Sequence, residues 1–290
     1  MTAIDAQGLG KVYANGVTAL SDLSLTVSTG EVFGFLGPNG AGKTTTVRLL
    51  NGMLTPTSGR AVILGSSSDD QELRKRTATL AELARMYEHL TVRENLRFFA
   101  ALYDIPRDEA TRRIEELLER MALSSRADDR LGTFSTGMKK RVYLARTLLH
   151  RPEIIFLDEP TAGLDPDAAE QVTALIHRLA RESGATVFLC THHLTFAARV
   201  CDSFGFIKDG RLVASGSHEE LIRSVEREQK VLITTQEARH EVSYRNETEI
   251  DDGVRRIMAS GEHIVEVVKE RATLEDAYFH YIGRSGHELG

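Results

Sequence analysis

Short apolar runs and helical stripes alternate along this chain, and their order predicts an α/β fold. In the first thirty residues the pattern is β. Leu23, Leu25 and Val27 alternate with polar neighbours, as one half-buried face of a strand requires. Residues 32–36, 154–157 and 186–190 are unbroken apolar runs of strand length, which fits strands covered on both faces in a parallel sheet. A helical pattern over about 167–182 joins the last two, making a βαβ unit. A further short strand is predicted over 61–64, between Gly59 and Gly65. From about 71 to 150 the period becomes helical. Leu96, Phe99, Ala100 and Tyr103 share one face; Ile114, Leu117, Leu118 and Met121 share another. A third helix over 138–150 carries Val142, Ala145, Leu148 and Leu149. Asp209-Gly210, set between two apolar runs, predicts a hairpin. After about Glu226 a small α/β segment begins, with strands at 231–233 and 264–267 and helices at 251–259 and 274–281, the last capped by Thr273. The expected organisation is a domain over 1–225, a helical subdomain inserted at about 71–150, and an accessory extension over 226–290.

Composition narrows the classes. At 290 residues with 41% hydrophobic content the chain can bury a large core. Its formal net charge of −6 argues against a broad nucleic-acid surface, so no nucleic-acid partner is expected. No apolar run reaches the roughly 18 residues that span a bilayer. Met1-Thr2-Ala3-Ile4-Asp5 shows no basic region followed by an apolar stretch, so a cytosolic chain is expected. Cys190 and Cys201 lie in apolar surroundings and read as buried thiols.

The chemistry concentrates at three places. Gly37-Pro38-Asn39-Gly40-Ala41-Gly42-Lys43-Thr44 fits G-x-x-x-x-G-K-[ST] and sits between the strand at 32–36 and a helix continuing to Leu50. Glycines let backbone N–H groups turn inward around an anion. Lys43 supplies a compact positive charge for outer phosphates, and Thr44 a hydroxyl for magnesium. The strand at 154–157 ends in Asp158 and Glu159, and Pro160 stops the ladder there. In a parallel sheet such strand ends open into the ligand crevice, on the edge that also carries the phosphate loop. Asp158 is suited to hold magnesium and Glu159 to take a proton from an attacking water. Finally, Ser135 and Gly137 stand at the start of the helix at 138–150, where they read either as a plain N-cap or as a second anion site.

The order of these motifs resembles the nucleotide-binding domains of ABC transporters, over about residues 3–225. Gly37 to Thr44 looks like Walker A, with Thr45 following as a further nucleotide contact. Residues 154–159 look like Walker B with its glutamate. Phe134-Ser135-Thr136-Gly137-Met138 holds the place of the signature motif, Ala162-Gly163-Leu164-Asp165 that of the D-loop, and Thr191-His192 that of the switch histidine. Tyr13 resembles the aromatic residue that stacks on adenine. The resemblance implies a P-loop fold: a mixed sheet core, an N-terminal antiparallel β portion, an inserted helical subdomain and, here, a small α/β extension. It implies ATP and Mg2+ as cofactors. Asn39, Gly40, Ala41, Gly42, Ser135, Gly137 and Asp165 would contact nucleotide, Glu159 and His192 would be catalytic, and Thr44, Glu82 and Asp158 would hold the metal. It also implies a head-to-tail pair with a second ATPase copy, a transmembrane permease partner, and a place on the inner face of the cell membrane.

Three features depart from the family pattern. Thr136 and Met138 replace the usual glycine and glutamine of the signature. Glu82 stands where the Q-loop glutamine is usual. His193 follows His192 directly. Residues 85–95 and 272–278 resemble exporter-type ATPases; Met86, Tyr87 and Leu90 read equally as lobe core or permease interface. The competing reading is a family member that acts on ribosomes or nucleic acid without transport. Such proteins carry two ATPase domains or a long coiled coil, and neither is present in this sequence.

Overall fold

A computed structural model describes residues 1–80, 86–223, 225, 229–244, 247–270 and 272–283. Glu82 lies outside these. The chain divides into two compact units, Met1–Ser215 and Gly216–Gly290.

In chain order the first unit runs β1 (Thr2–Val12), β2 (Thr18–Ser28), β3 (Val32–Leu36), α1 (Lys43–Leu50), β4 (Ser58–Ile63), β5 (Ser66–Ser67), α2 (Leu73–Arg76), β6 (Thr77–Leu80), α3 (Val92–Leu102), α4 (Arg107–Arg120), α5 (Thr136–Thr147), β7 (Ile154–Asp158), α6 (Pro166–Ser183), β8 (Thr186–Thr191), α7 (Leu194–Val200), β9 (Ser203–Lys208) and β10 (Arg211–Ser217). The main sheet has the order β10-β9-β3-β8-β7-β6, and a second sheet the order β2-β1-β4-β5. In the main sheet β9, β3, β8, β7 and β6 run parallel. The second sheet is antiparallel.

The unbroken apolar runs have a simple cause. Strand side chains alternate between faces, and here both faces are covered. Phe33, Phe35, Phe156 and Phe188 share one cluster with Val47, Leu49 and Leu50 of α1 and with β1 and β2. Phe188 lies at its centre, 5.4 Å from Phe33 and 5.3 Å from Phe35 between ring centroids. Ile155, Leu157, Val187 and Leu189 face the other way, into the cluster built by α3 to α6. Helices α3, α4 and α5 pack on one another as the helical lobe.

Three strands escaped the pattern, the two-residue β5 among them. Thr77–Leu80 begins the segment expected to be helical, yet pairs in parallel with β7 from Thr77↔Ile154 to Leu80↔Leu157. Four residues are too few to show a period, and only their neighbour on the sheet decides their state. In the second unit β12 (Arg239–Tyr244) carries mostly charged or hydroxylic side chains and lacks the apolar run that marks β11 (Gln229–Thr235).

His150 ties the lobe to this added strand. Its ring stacks on Tyr103 at 3.9 Å, and Nε2 lies 3.0 Å from the Thr77 carbonyl oxygen. Burial lowers its pKa from 6.5, partly offset by the Thr77 bond. Folding therefore favours the neutral ring, and the unfolded chain binds more protons. The contribution is complete above pH 6.5 and is lost as the pH falls toward the depressed native value. A His150→Gln variant, unable to take that proton, is expected to lose stability less steeply than wild type between about pH 7 and pH 5. Denaturant midpoints at matched pH check this, and parallel slopes would rule it out.

The second unit contains α8 (His218–Arg223), β11 (Gln229–Thr235), β12, α9 (Glu247–Ala259), β13 (Ile264–Glu270) and α10 (Leu274–Ile282). Its sheet is antiparallel in the order β12-β11-β13. Val231, Ile233, Tyr244, Ile250 and Ile257 form its small core. Thr273 and Asp276 close a reciprocal capping box on α10. Within this unit α8 packs against α10.

Candidate functional site

The parallel strands deliver three loops to one edge. Leu36 is level with Thr191, and Asp158 with Cys190. The loop after β3, the acidic pair ending β7 and the histidines after β8 therefore emerge side by side.

The loop after β3 is held by its glycines and by a hairpin. Gly40 has φ +81° and Gly42 φ +108°. A Cβ on Gly37 would stand 2.4 Å from the Ile207 carbonyl oxygen, and one on Gly42 would stand 2.7 Å from that of Ala19. The β9–β10 turn braces the loop from below. Gly210 N donates to the Ala41 carbonyl (3.0 Å), and Ser21 N donates to that of Gly210 (2.9 Å). Asn39 and Gly40 are exposed at the tip. Helix α1 starts at Lys43 with no side-chain cap on its N-terminus, so its first N–H groups point out toward the loop. That is the geometry of an anion site.

Lys43 is 6% exposed. Its Nζ donates to the carbonyls of Gly37 (2.7 Å) and Pro38 (3.2 Å) and lies 3.7 Å from Glu159 Oε1. Thr44 is exposed beside it, and Thr45 Oγ1 is 3.1 Å from the Tyr13 hydroxyl. Tyr13 is thus fixed next to the loop, with Lys11 Nζ 5.8 Å from its ring centre.

Glu159 is the hub. Its backbone sits at φ +46°, a left-handed conformation that a side-chain-bearing residue adopts at a cost. Its N–H donates to the Cys190 carbonyl (2.9 Å), which holds that turn in place. One carboxylate oxygen accepts from Thr191 Oγ1 (3.0 Å), and the other lies 2.8 Å from His192 Nδ1. Asp158 precedes it at the strand end and is 5% exposed. Sequence reading missed Thr191 as a positioning residue. Its hydroxyl holds Glu159 and accepts from His193 N (3.1 Å). The available signal was a hydroxyl residue closing an apolar strand directly before the histidines. The His193 ring lies 4.0 Å from that of His192, tilted by 38°. Burial and the neighbouring His192 lower its pKa, against the pull of Glu159.

Ser135, Gly137 and Asp165 form a second cluster, around the N-termini of α5 and α6. Ser135 caps α5, accepting from Met138 N (3.3 Å), and remains exposed. Asp165 caps α6, accepting from Ala168 N (2.8 Å), with Pro166 at the first helical position. A Cβ on Gly137 would lie 3.2 Å from Ala168 Cβ, so glycine lets the two helix starts approach. The plain N-cap is therefore present at Ser135, and its exposed helix end is still open to an anion. In the helical lobe Met86 is buried, while Tyr87 is exposed and meets Phe98 edge-on at 5.0 Å.

Comparison with known proteins agrees with this arrangement. Residues 20–162 match the family described as ABC transporter. The chain is 40% identical to the bacitracin transport ATP-binding protein BcrA of Bacillus licheniformis, over 73% of this chain and 69% of that protein. It is 34% identical to the methionine import ATP-binding protein MetN of Geobacillus kaustophilus, over 83% and 75%. The structure of cbiO1 from Clostridium perfringens, part of the ABC transporter complex cbiONQ, superposes with a TM-score of 0.69 at 30% identity, covering 77% of this chain and 94% of that one. A P-loop α/β core, a glycine loop facing two carboxylates, and relatives of this closeness make the chain a member of the ABC transporter ATP-binding family, which hydrolyses ATP to power transport.

Proposed function

We propose that this chain powers export through a separate membrane permease, working as a head-to-tail pair with a second copy and with Mg2+. The observation that carries the paired site is the exposed helix start at Ser135, which stands on α5 while Lys43 and His192 both contact Glu159 directly. A second copy turned head to tail sets its Ser135 against the outer phosphate of ATP held by Lys43, adding a helix dipole and a hydroxyl to the cage. Tyr13, fixed by Thr45, offers a ring to the base. Glu159 takes the proton of the attacking water, and His192 with Thr191 holds its carboxylate in place.

The donors present suit magnesium. Thr44 offers a hydroxyl and Asp158 a carboxylate, both hard oxygen ligands beside the phosphate loop. The chemistry supplied by the ion there is neutralisation of charge on the outer phosphates.

Among the described residues no helix is long and apolar enough to cross a membrane. A membrane partner must then meet an outer face. Tyr87 (42% exposed), Phe98 (39%) and Leu102 (63%) form an aromatic and aliphatic patch on the helical lobe that suits this contact. On this reading the contact holds the chain at the inner face of the cell membrane. The outward direction rests on the exporter-like character of residues 85–95 and of the capped C-terminal helix. Because the relatives include a methionine import ATP-binding protein beside a bacitracin transport one, the choice of export does not rest on the catalytic core.

Ser135→Arg tests the paired site. The isolated variant is expected to bind ATP within about twofold of wild type. It should form no ATP-dependent dimer and should lose hydrolysis by roughly a hundredfold or more. Weakened ATP binding by the dilute, monomeric variant would mean that Ser135 serves its own chain's nucleotide, and the paired reading would fail.

A further inference from the structure

Glu159, His192 and His193 bring three metal-seeking atoms together, one from each side chain, all within 4.8 Å of one another. The frame behind them is firm. Thr191 Oγ1 donates to Glu159 (3.0 Å) and accepts from His193 N (3.1 Å). The two imidazole centroids lie 4.0 Å apart with their planes tilted by 38°, close enough for a nitrogen of each to reach one ion. The front is open: the His192 side chain is 41% exposed, and His193 is exposed. An ion can enter from solvent and keep a water as its fourth ligand.

The donor set sorts the metals. Two imidazole nitrogens and one carboxylate suit zinc and its first-row neighbours, whereas magnesium takes oxygen ligands in an octahedral shell. Zinc–nitrogen bonds of about 2.0–2.1 Å would set tetrahedral ligand atoms about 3.3 Å apart. The ligand atoms span up to 4.8 Å, so reaching that spacing takes movements of up to about 1.5 Å, which side-chain torsions of two exposed rings can supply.

We propose that Glu159, His192 and His193 bind a zinc-class divalent cation, and that this ion switches ATP hydrolysis off reversibly by engaging Glu159 and His192. The proposal rests on the reading that those two residues serve hydrolysis. This site is distinct from the magnesium position at Thr44 and Asp158. His193 sets it apart, because it has no part in the hydrolysis proposed above.

The test uses the full chain, stripped with a chelator and free of nucleotide. Zinc affinity is read by competition with a chromogenic chelator, and the ligand field by the visible absorption of cobalt. Hydrolysis is then followed in excess magnesium as zinc is added. Wild type is expected to bind a single zinc ion, to show four-coordinate cobalt bands, and to lose hydrolysis in step with zinc occupancy. Chelator should restore the rate. His193→Ala is expected to keep its magnesium-dependent rate while binding zinc at least about tenfold more weakly, with inhibition shifted equally. Absence of zinc binding in wild type, or equal binding and inhibition in His193→Ala, overturns the site. Full hydrolysis at full zinc occupancy overturns the switch. The catalytic reading fails separately: normal zinc-free turnover by Glu159→Gln would remove it, while the zinc titration and cobalt spectrum still report on the site.

Discussion

Glu159→Gln is expected to leave ATP binding intact or slightly tighter, to lower hydrolysis by roughly a hundred- to ten-thousandfold, and to accumulate an ATP-bound dimer. The substitution keeps the shape of the side chain and an oxygen to accept from Thr191, so the turn at φ +46° is undisturbed. What it removes is the basic carboxylate. Two consequences oppose each other in binding and agree in turnover. Lys43, 3.7 Å from Glu159 Oε1, loses a charge partner, yet it keeps the Gly37 and Pro38 carbonyls. A carboxylate facing the outer phosphate repels it, and glutamine does not. Binding therefore holds, while the proton of the attacking water has no acceptor. Nucleotide titration, steady-state phosphate release and gel filtration with ATP give the three readouts. Unimpaired turnover would transfer the base role away from Glu159.

The two ends of this site differed in how openly the sequence declared them. Phosphate binding needs residue types in a fixed local order, so Gly37 to Thr44 is legible without neighbours. The buried strands are equally legible, because a strand covered on both faces must be apolar at every position, as Ile154 to Leu157 are. Other features depend on distant partners. Thr77–Leu80 is a strand only because β7 offers it a ladder. Thr191 matters only because the register with β7 sets it beside Glu159. Ser135 looks like any helix cap in sequence, and its exposure is visible only in the fold. The backbone of Glu159 at φ +46° has no sequence signal, since left-handed conformations at residues other than glycine are imposed by the surroundings.

Gly42→Ala is expected to weaken ATP binding by roughly a hundredfold or more, and Gly40→Ala by no more than about thirtyfold. Both glycines have positive φ, so alanine is strained at either. They differ in what surrounds them. At Gly40, φ +81°, an added Cβ meets nothing within 4 Å, and only the left-handed strain remains, about 1–2 kcal/mol. At Gly42 the backbone is at φ +108°, ψ +5°, outside the left-handed helical well. There the Cβ would lie 2.7 Å from the Ala19 carbonyl oxygen and 2.8 Å from Leu20 Cδ2. Ala19 belongs to a paired strand, and Leu20 is 1% exposed in the core, so neither yields cheaply. The loop must move instead, and the next residue is Lys43, at the start of α1. Each 1.4 kcal/mol is a tenfold change in affinity, so a displaced lysine and a misaligned helix start together exceed the strain at Gly40. Titration with a fluorescent ATP analogue measures both variants, and their melting temperatures separate a distorted loop from a lost fold. Equal losses at the two positions would show that strain, and not the contact with β2, limits the loop.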